Sequence, residues 1–303
     1  MRTSFKKISI SVLEDWDSLS ELLFSLEISR SKQKKIIQNS AFLKKRIYSR
    51  QVIDLPIDLL NKNMVNPLYE GRCVLKIQDN ELFMALSKPV KIHSLPLSYS
   101  EKNNILSYVR DQEKCAEVFS INKDSYEKGL LYRLDYETSG LIMLAKDKKF
   151  YKMFRQKIFK NKFYLAVVEG EIDNDFSYAH YIDYVGEKGA VGHVSNAADT
   201  NSHLEGQKII YNAKTNQSLV LIKLDEGKRH QIRVQLSAEG YPILGDPIYS
   251  KVEANRMYLH SFCYRFEYKE VEYQIIDDNF SALEIIFNTD GVLKMAHQAL
   301  LGF

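Results

Sequence analysis

Residues 133–144, RLDYETSGLIML, place a carboxylate where a polar stretch meets an apolar one. The apolar run 141–145 is too short for a helix and rich in strand-forming residues, so it predicts a buried strand. Asp135 then lies at the start of that strand, where a carboxylate could accept a proton or attack a carbon. Asp135, Thr138 and Ser139 are also typical of turns, in which their side chains bind nearby backbone amides. At this point the sequence leaves both interpretations open.

A second polar cluster lies in residues 226–249, EGKRHQIRVQLSAEGYPILGDPIY. Its first half has helical periodicity up to Gly240, a residue that is typical of a helix end. Arg229 and Arg233 are four residues apart, which predicts that they share one helix face. They could be solvated surface arginines, or Arg233 could present its planar, permanently charged fork to a carboxylate such as Asp135.

The elements that must position these side chains are mostly strands. Runs with strand composition and flanking turn residues predict strands over residues 81–87, 162–169, 207–213 and 218–224. The polar residues 214–217, KTNQ, separate the last two runs and predict a hairpin. Asp147 is a predicted N-cap for an amphipathic helix over residues 148–159. Together these patterns predict a hydrophobic sheet with helices packed against it.

The composition is that of an ordinary folded protein, with 303 residues, 45% hydrophobic and 27% charged. This length is enough for one large domain and a small one. No apolar run approaches the roughly 18 residues that cross a bilayer, and no signal peptide is evident, so we expect a cytoplasmic protein. Cys73, Cys115 and Cys263 are too scattered for a disulfide framework or a zinc site, which predicts reduced thiols and no metal. A last helix is predicted over residues 292–301.

Basic charge is concentrated near the N-terminus. The formal charge of the whole chain is +3, but residues 28–53 carry eight Lys and Arg side chains and no Asp or Glu, which leaves −5 for the remainder. Such a cluster is either a solvated face or an electrostatic footprint for phosphates. The segment lacks the broad Trp, Phe and Leu face of a membrane-surface helix. If the cluster binds a partner, nucleic acid is therefore favoured over a membrane, and a solvated face stays the other interpretation.

The same region has the pattern of a small helical module. Leucines recur at helical spacing over residues 19–26, and Ser29 or Ser31 is a predicted N-cap for a second helix over residues 32–38. Residues 41–52, AFLKKRIYSRQV, have strand composition. This order of helix, helix and strand resembles the S4-like RNA-binding domain at the front of several RNA-modifying enzymes.

Four motifs together resemble one enzyme family. LSKPVKIH, RLDYETSGLIMLAKD, KNKFYLAVVEG and GKRHQIRVQLSAEGYPILGD occur in this order and are similar to the successive motifs of the RluA-like pseudouridine synthases. The resemblance implies an α+β fold for residues 76–303, with a central mixed, largely antiparallel sheet flanked by helices. Residues 1–75 would then form the basic S4-like module.

The resemblance also implies a reaction, the isomerisation of a uridine already inside RNA, in which the N-glycosidic bond breaks and C5 bonds to C1′. The family's aspartate falls on Asp135, which would act on the sugar as a nucleophile at C1′ or through a glycal route at C2′. The family's tyrosine falls on Tyr164, whose ring would stack on uracil and whose hydroxyl would help to move the C5 proton. The family's arginine falls on Arg233, which would keep Asp135 ionised. No cofactor is expected.

Substrate binding requires that the uridine leave the RNA stack, because stacking hides the bond that breaks. Arg133 matches the motif arginine that in relatives fills the gap left by the flipped base. The remaining predicted contacts are cations for phosphates, although each alone is equally typical of a solvated surface: Lys88, Lys162, Lys228 and Arg229. The partner implied is ribosomal or transfer RNA, bound by a monomer, with no DNA or membrane expected.

Three positions depart from the family pattern: Tyr132 and Gln235 replace usual histidines, and Lys228 replaces an arginine. They leave open a paralogue that binds RNA without turnover. A glycoside hydrolase is the other alternative, since such enzymes also use carboxylates. It requires two carboxyl groups about 5–10 Å apart, for which Glu137 is the nearest partner of Asp135.

Overall fold

The structure is a computed structural model of the chain. It describes residues 7–26, 28–56, 59, 65–97, 101–122, 125, 127–156, 160–185, 191–195, 199–224, 227–280, 286–287 and 291–303. The chain divides into two compact units: the first is Met1–Gly71, Leu95–Cys115 and Asn122–Lys128, and the second is Arg72–Ser94, Ala116–Ile121 and Gly129–Phe303. The first unit thus joins most of residues 1–75 to two later segments.

The first unit combines a two-stranded antiparallel sheet with short helices. Its strands are β1 (Lys7–Ser11) and β2 (Val52–Pro56), and its helices are α1 (Leu19–Ser25), α2 (Arg30–Ile36), α3 (Ser40–Leu43) and α4 (Ile105–Tyr108), the last followed by a π-helical turn over Val109–Glu113. Ser18 and Ser29 cap α1 and α2 by accepting backbone N–H groups three residues later. The two predicted N-terminal helices are therefore confirmed.

The strand predicted over residues 41–52 is wrong. The side chain of Asn39 accepts the N–H groups of Ala41 and Phe42 and so begins α3 instead. The strand β2 begins only at Val52. Strand composition was misleading here because a local side-chain cap competes with sheet pairing for the same backbone groups.

The second unit is built on a mixed ten-stranded sheet. Its strands are β3 (Leu75–Asp79), β4 (Phe83–Lys88), β5 (Ser139–Ala145), β6 (Lys160–Glu169), β7 (Asp175–Val185), β8 (Val191–Ser195), β9 (Ser202–Asn212), β10 (Gln217–Leu224), β11 (Leu259–Tyr268) and β12 (Val271–Ile276). The order is β3-β4-β5-β11-β6-β10-β9-β7-β8, with β12 paired to β11. Only β5 and β11 are parallel among the pairs described. The predicted mixed, largely antiparallel sheet is confirmed.

Helices α5 (Ala116–Ile121), α6 (Lys148–Gln156), α7 (Gln231–Ala238) and α8 (Val292–Leu300) belong to this unit. Asp147 caps α6 by accepting the N–H of Phe150, as predicted. The predicted end of that helix, residues 157–159, lies outside the described residues. The hairpin of β9 and β10 and the last helix are also confirmed. No helix in the described ranges is long and apolar enough to cross a membrane.

A close approach of two strands fixes the segment that follows Asp135. Gly140 has φ +109°, and a Cβ at this position would clash with the backbone of Ser261. Only glycine fits there, since it has no Cβ and tolerates positive φ. Ser261 in β11 pairs with Gly140 on one side and with Tyr164 of β6 on the other. The sheet register therefore brings the end of the Asp135 loop close to Tyr164.

Candidate active site

The loop that carries Asp135 is held by backbone and side-chain hydrogen bonds. The carbonyl oxygen of Asp135 accepts the N–H of Thr138 at 3.2 Å, which closes a turn directly before β5. Ser94, in the segment after β4, donates to the carbonyl of Leu134 at 2.8 Å and accepts the N–H of Leu134 at 3.0 Å. The backbone thus forms the turn, and the carboxylate of Asp135 is left for another partner.

That partner is Arg233 of α7. Its Nη1 donates to Oδ2 of Asp135 at 3.2 Å, across 98 positions of sequence. The Arg233 side chain is 1% exposed, whereas that of Asp135 is 28% exposed. The predicted pairing of these two residues is present. The carboxylate is held from the protein side and remains open to solvent on the other.

The two-pronged contact of Arg233, however, goes to Asp246, which the sequence did not single out. Nε and Nη2 of Arg233 donate to the two carboxylate oxygens of Asp246 at 2.7 and 2.8 Å. Asp246 is 2% exposed and also accepts the N–H groups of Ile248 and Tyr249. Between Gly245 and Pro247 an aspartate resembles an ordinary turn residue, so no local signal marks it as a buried counter-ion.

The pKa values in this cluster follow from burial and charge. Burial alone lowers the pKa of Arg233, but the hydrogen bonds and charge of Asp246, followed by the charges of Asp135 and Glu137, raise it above its ordinary value. Burial alone raises the pKa of Asp246, but Arg233 and two amides hold it below its ordinary value. Both groups are therefore charged at neutral pH. Oε2 of Glu137 lies 3.8 Å from Nη1 of Arg233 and adds a second accessible carboxylate.

Tyr164 lies in a buried group of tyrosines. Its side chain is 8% exposed, and its hydroxyl is 3.4 Å from the hydroxyl of Tyr264. Burial raises the pKa of Tyr164 to about 12. The negative charge of Asp135 makes a smaller contribution in the same direction. The hydroxyl is therefore neutral at physiological pH and available as a hydrogen-bond donor. Tyr132, which replaces a usual histidine, stacks on Tyr264 with ring centroids 4.5 Å apart.

Two of the predicted phosphate contacts are buried. Lys88 is fully buried, and its Nζ donates to the carbonyls of Pro89 and Ile92 at 3.1 and 2.9 Å. Burial lowers the pKa of Lys88 to about 7, against the opposing effect of Asp135 and Glu137. Lys162 is 7% exposed, with Nζ 5.7 Å from the centre of the Tyr132 ring. Neither lysine presents its charge at the surface, so contact with phosphates stays a prediction for both.

The three other predicted contacts are accessible. Arg133 and Arg229 are exposed, and Lys228 is half-buried. Arg229 nevertheless does not share a helix face with Arg233, because His230 has φ +54° and α7 begins only at Gln231. The left-handed residue breaks the helical register that the sequence spacing predicted.

Gln235, the third departure from the family pattern, is fully buried in α7. Its amide nitrogen lies within hydrogen-bonding distance of the carbonyls of Tyr178 and Ser202 and of Nδ1 of His180. It therefore ties α7 to β7 and β9. In the described part of the chain, no group of three or more His, Cys, Asp or Glu side chains is arranged to hold a metal ion.

Comparisons with known proteins identify the family. The profile of the family described as RNA pseudouridylate synthase matches residues 83–238, which include Asp135, Tyr164 and Arg233. An uncharacterised RNA pseudouridine synthase of Mycoplasma pneumoniae is 27% identical over 241 residues, 74% of either chain. One of Bacillus subtilis is 26% identical over 84% of this chain and 80% of its own.

A ribosomal large subunit pseudouridine synthase D of Borreliella burgdorferi is 27% identical over 61% of this chain and 59% of its own length. Among solved structures, human RNA pseudouridylate synthase domain containing 1 matches 68% of this chain and 84% of its own, with a TM-score of 0.54 and 21% identity, which supports the fold. The chain therefore belongs to the RluA-like RNA pseudouridine synthases, isomerases that convert uridine in RNA into pseudouridine.

Proposed function

We propose that this enzyme isomerises specific uridines in structured ribosomal or transfer RNA, with Asp135 as the catalytic carboxylate. One observation carries the proposal: Asp135 is 28% exposed, while its partner Arg233 is 1% exposed and bound through two bonds to Asp246. A buried permanent cation holds and orients the carboxylate while its outer side stays available to a sugar. Two relatives named for the ribosomal large subunit support ribosomal RNA as the substrate.

The proposed reaction needs no net change of atoms. The uridine is flipped out of the RNA, N1–C1′ breaks, and Asp135 acts on the sugar as nucleophile at C1′ or as base at C2′. The uracil turns, and C5–C1′ forms as the Asp135–C1′ bond breaks or, in the glycal route, as the proton returns to C2′. The C5 proton then leaves to solvent and N1 gains a proton. Tyr164, whose pKa is raised in part by the charge of Asp135, supplies a ring surface for the uracil and a neutral hydroxyl near the C5 proton.

The proposed RNA contacts around this site are the accessible cations Arg133, Lys228 and Arg229. Arg133 is two residues before Asp135, a position from which it could take the place of the flipped base. Lys88 instead orders the segment after β4 through its bonds to Pro89 and Ile92.

The N-terminal residues 1–75 are proposed to form an S4-like RNA-binding module that a monomer uses alongside the catalytic domain. Besides the basic cluster, two exposed aromatic rings carry a guanidinium above them. Arg30 lies 5.6 Å from the centre of the Phe24 ring, and Arg46 lies 5.8 Å from that of Tyr48. Such pairs offer unpaired bases a stacking surface next to positive charge.

The test is release of tritium from bulk RNA whose uridines are labelled at C5. Wild-type protein is expected to release the label, since C5 loses its hydrogen only when it becomes bonded to the sugar. Asp135→Asn is expected to slow release at least 10³-fold, which corresponds to about 4 kcal/mol of lost transition-state stabilisation. Glu137→Gln is the matched control, since Glu137 is similarly exposed and also faces Arg233.

The alternatives give different results. RNA binding by wild type and Asp135→Asn without tritium release would indicate the non-catalytic paralogue. Free uracil in the supernatant would indicate glycosidic hydrolysis instead of isomerisation. Equal loss of activity in Glu137→Gln would show that both carboxylates share the catalytic role.

A further inference from the structure

His230 lies next to Asp135 and has no part in the reaction proposed above. Its Nε2 lies 3.7 Å from Oδ2 of Asp135, and its side chain is 7% exposed. Arg233 donates to the same oxygen, Oδ2. Two donors from the region of one helix therefore converge on one carboxylate oxygen, and Oδ1 is the oxygen that they leave for reaction.

The contacts of Tyr249 bear on which nitrogen of His230 carries the proton. Its hydroxyl oxygen accepts the N–H of Gly192 at 2.8 Å and lies 3.1 Å from Nδ1 of His230. If Tyr249 donates its proton to Nδ1, all of these polar groups are paired. The neutral imidazole then carries its proton on Nε2, opposite the carboxylate. In the other tautomer an Nε2 lone pair would face the Asp135 anion, which is electrostatically unfavourable.

We propose that His230 is a positioning residue for Asp135, fixed by Tyr249 as the Nε2–H tautomer, and that it anchors Oδ2 together with Arg233. The separation of 3.7 Å is about 0.8 Å longer than a normal hydrogen bond. Catalytic hydrogen bonds are often long without substrate and shorten in the substrate complex. A small movement of Asp135 toward His230 would complete this one. This inference rests on the proposed catalytic role of Asp135.

The surrounding charges support a neutral ring. Burial is the largest effect and lowers the pKa of His230; Asp135 and Asp246 act in the opposite direction, while Arg233 and Arg229 lower it further. The net shift is downward, so the ring is neutral at physiological pH. A neutral N–H donor holds the carboxylate without adding a second positive charge that would reduce its reactivity.

The first test reads the tautomer without any RNA. In full-length protein labelled with ¹⁵N-histidine, His230 is assigned by its absence in His230→Gln. We expect a protonated Nε2 and an unprotonated Nδ1 at pH 7.5. Tyr249→Phe is expected to mix the tautomers and raise the His230 pKa, and Asp135→Asn is expected to lower that pKa because the favourable anion is removed. A protonated Nδ1 or an imidazolium in the wild type at pH 7.5 would overturn the proposal.

The second test measures single-turnover tritium release with variants whose folding is checked by thermal melting. His230→Ala is expected to lose at least tenfold in rate with unchanged RNA affinity, and His230→Gln, which retains an N–H donor, is expected to recover most of it. The matched control is His203→Gln, at an exposed histidine of β9. Wild-type rate in His230→Ala, or no rescue by glutamine, would contradict the proposal.

The pH dependence of the rate of tritium release separates a positioning role of His230 from a merely structural one. In Tyr249→Phe the acid limb of the rate is expected to move to higher pH, because the ring protonates more easily, with little change at alkaline pH. A uniform loss of rate at every pH would indicate structural damage instead and would reject the proposed action of Tyr249 on His230. If wild-type protein released no tritium from any RNA, the proposed function would fail, while the tautomer and its coupling to Asp135 would still be decided by the spectra.

Discussion

At the scale of single residues, the site depends on one arginine that serves several carboxylates. Arg233 binds Asp246 through two bonds and Asp135 through one, and Glu137 lies 3.8 Å away. Its own position deep in the protein is tolerated only because Asp246 is paired to it there. The geometry at Asp135, the proposed catalytic carboxylate, therefore depends on Asp246, which would not contact the substrate.

Removing one partner of the buried Arg233–Asp246 pair should lower the free energy of unfolding more than removing both partners. We expect Arg233→Met to lower the free energy of unfolding by about 3–5 kcal/mol, because it leaves Asp246 buried without its cation. The double variant Arg233→Met/Asp246→Leu should recover part of that loss. Urea unfolding of the wild type, both single variants and the double variant provides the cycle. A double variant that is less stable than Arg233→Met would contradict this account.

Lys88 should make stability depend on pH. Its pKa is about 7 in the folded protein and ordinarily 10.5, so between these values the unfolded chain binds the additional proton. The stability of the wild type therefore rises with pH across this window, and the penalty is complete below pH 7. Relative to Lys88→Met, the wild type should gain about 2–3 kcal/mol between pH 7.5 and 9.5. If urea unfolding gave parallel curves of stability against pH for the wild type and Lys88→Met, a neutral Lys88 would be refuted. Lys251→Met, at an exposed lysine, is the control.

At the scale of elements, the helices α2 and α6 offer a matched comparison of charge. Exposed Arg30, Lys34 and Lys35 lie on α2, and exposed Lys148, Lys149 and Lys152 lie on α6. If α2 binds phosphates, changing its three cations to glutamine should weaken RNA binding. It should also reduce the slope of log K against log salt, by up to about 0.7–0.9 for each phosphate that is no longer neutralised. The same changes on α6 should have a smaller effect. Equal slopes in the two triple variants would argue against α2 as a specific RNA-binding element.

At the scale of the whole molecule, the division into units affects how the N-terminal region is tested. The first unit contains residues 95–115 and 122–128 in addition to the N-terminal 71 residues. A deletion of residues 1–75 would remove the buried partners of those later segments and also the first residue of β3. A loss of binding after such a deletion could reflect damaged folding, so charge substitutions on α2 give the clearer result.

The sequence by itself predicted five of the ten strands of the large sheet and most of the helices, and it singled out Asp135, Tyr164 and Arg233 as candidate site residues. These features can be predicted from local sequence patterns: apolar runs of strand length, side chains that cap nearby amides, and motif residues at fixed spacing. The strand predicted over residues 41–52 failed where one such local effect, the Asn39 cap, overrode composition.

Only the tertiary structure decided the partners of the charges. Asp246 as the counter-ion of Arg233, His230 beside Asp135, and the burial of Lys88 and Lys162 have no local signature. A lysine looks the same in sequence whether it is solvated or enclosed, because burial is set by segments far away along the chain. The electrostatics of the site depends on that burial and on the distances between those segments. For this reason a role for the carboxylate could be proposed from the sequence, but its supporting network could not.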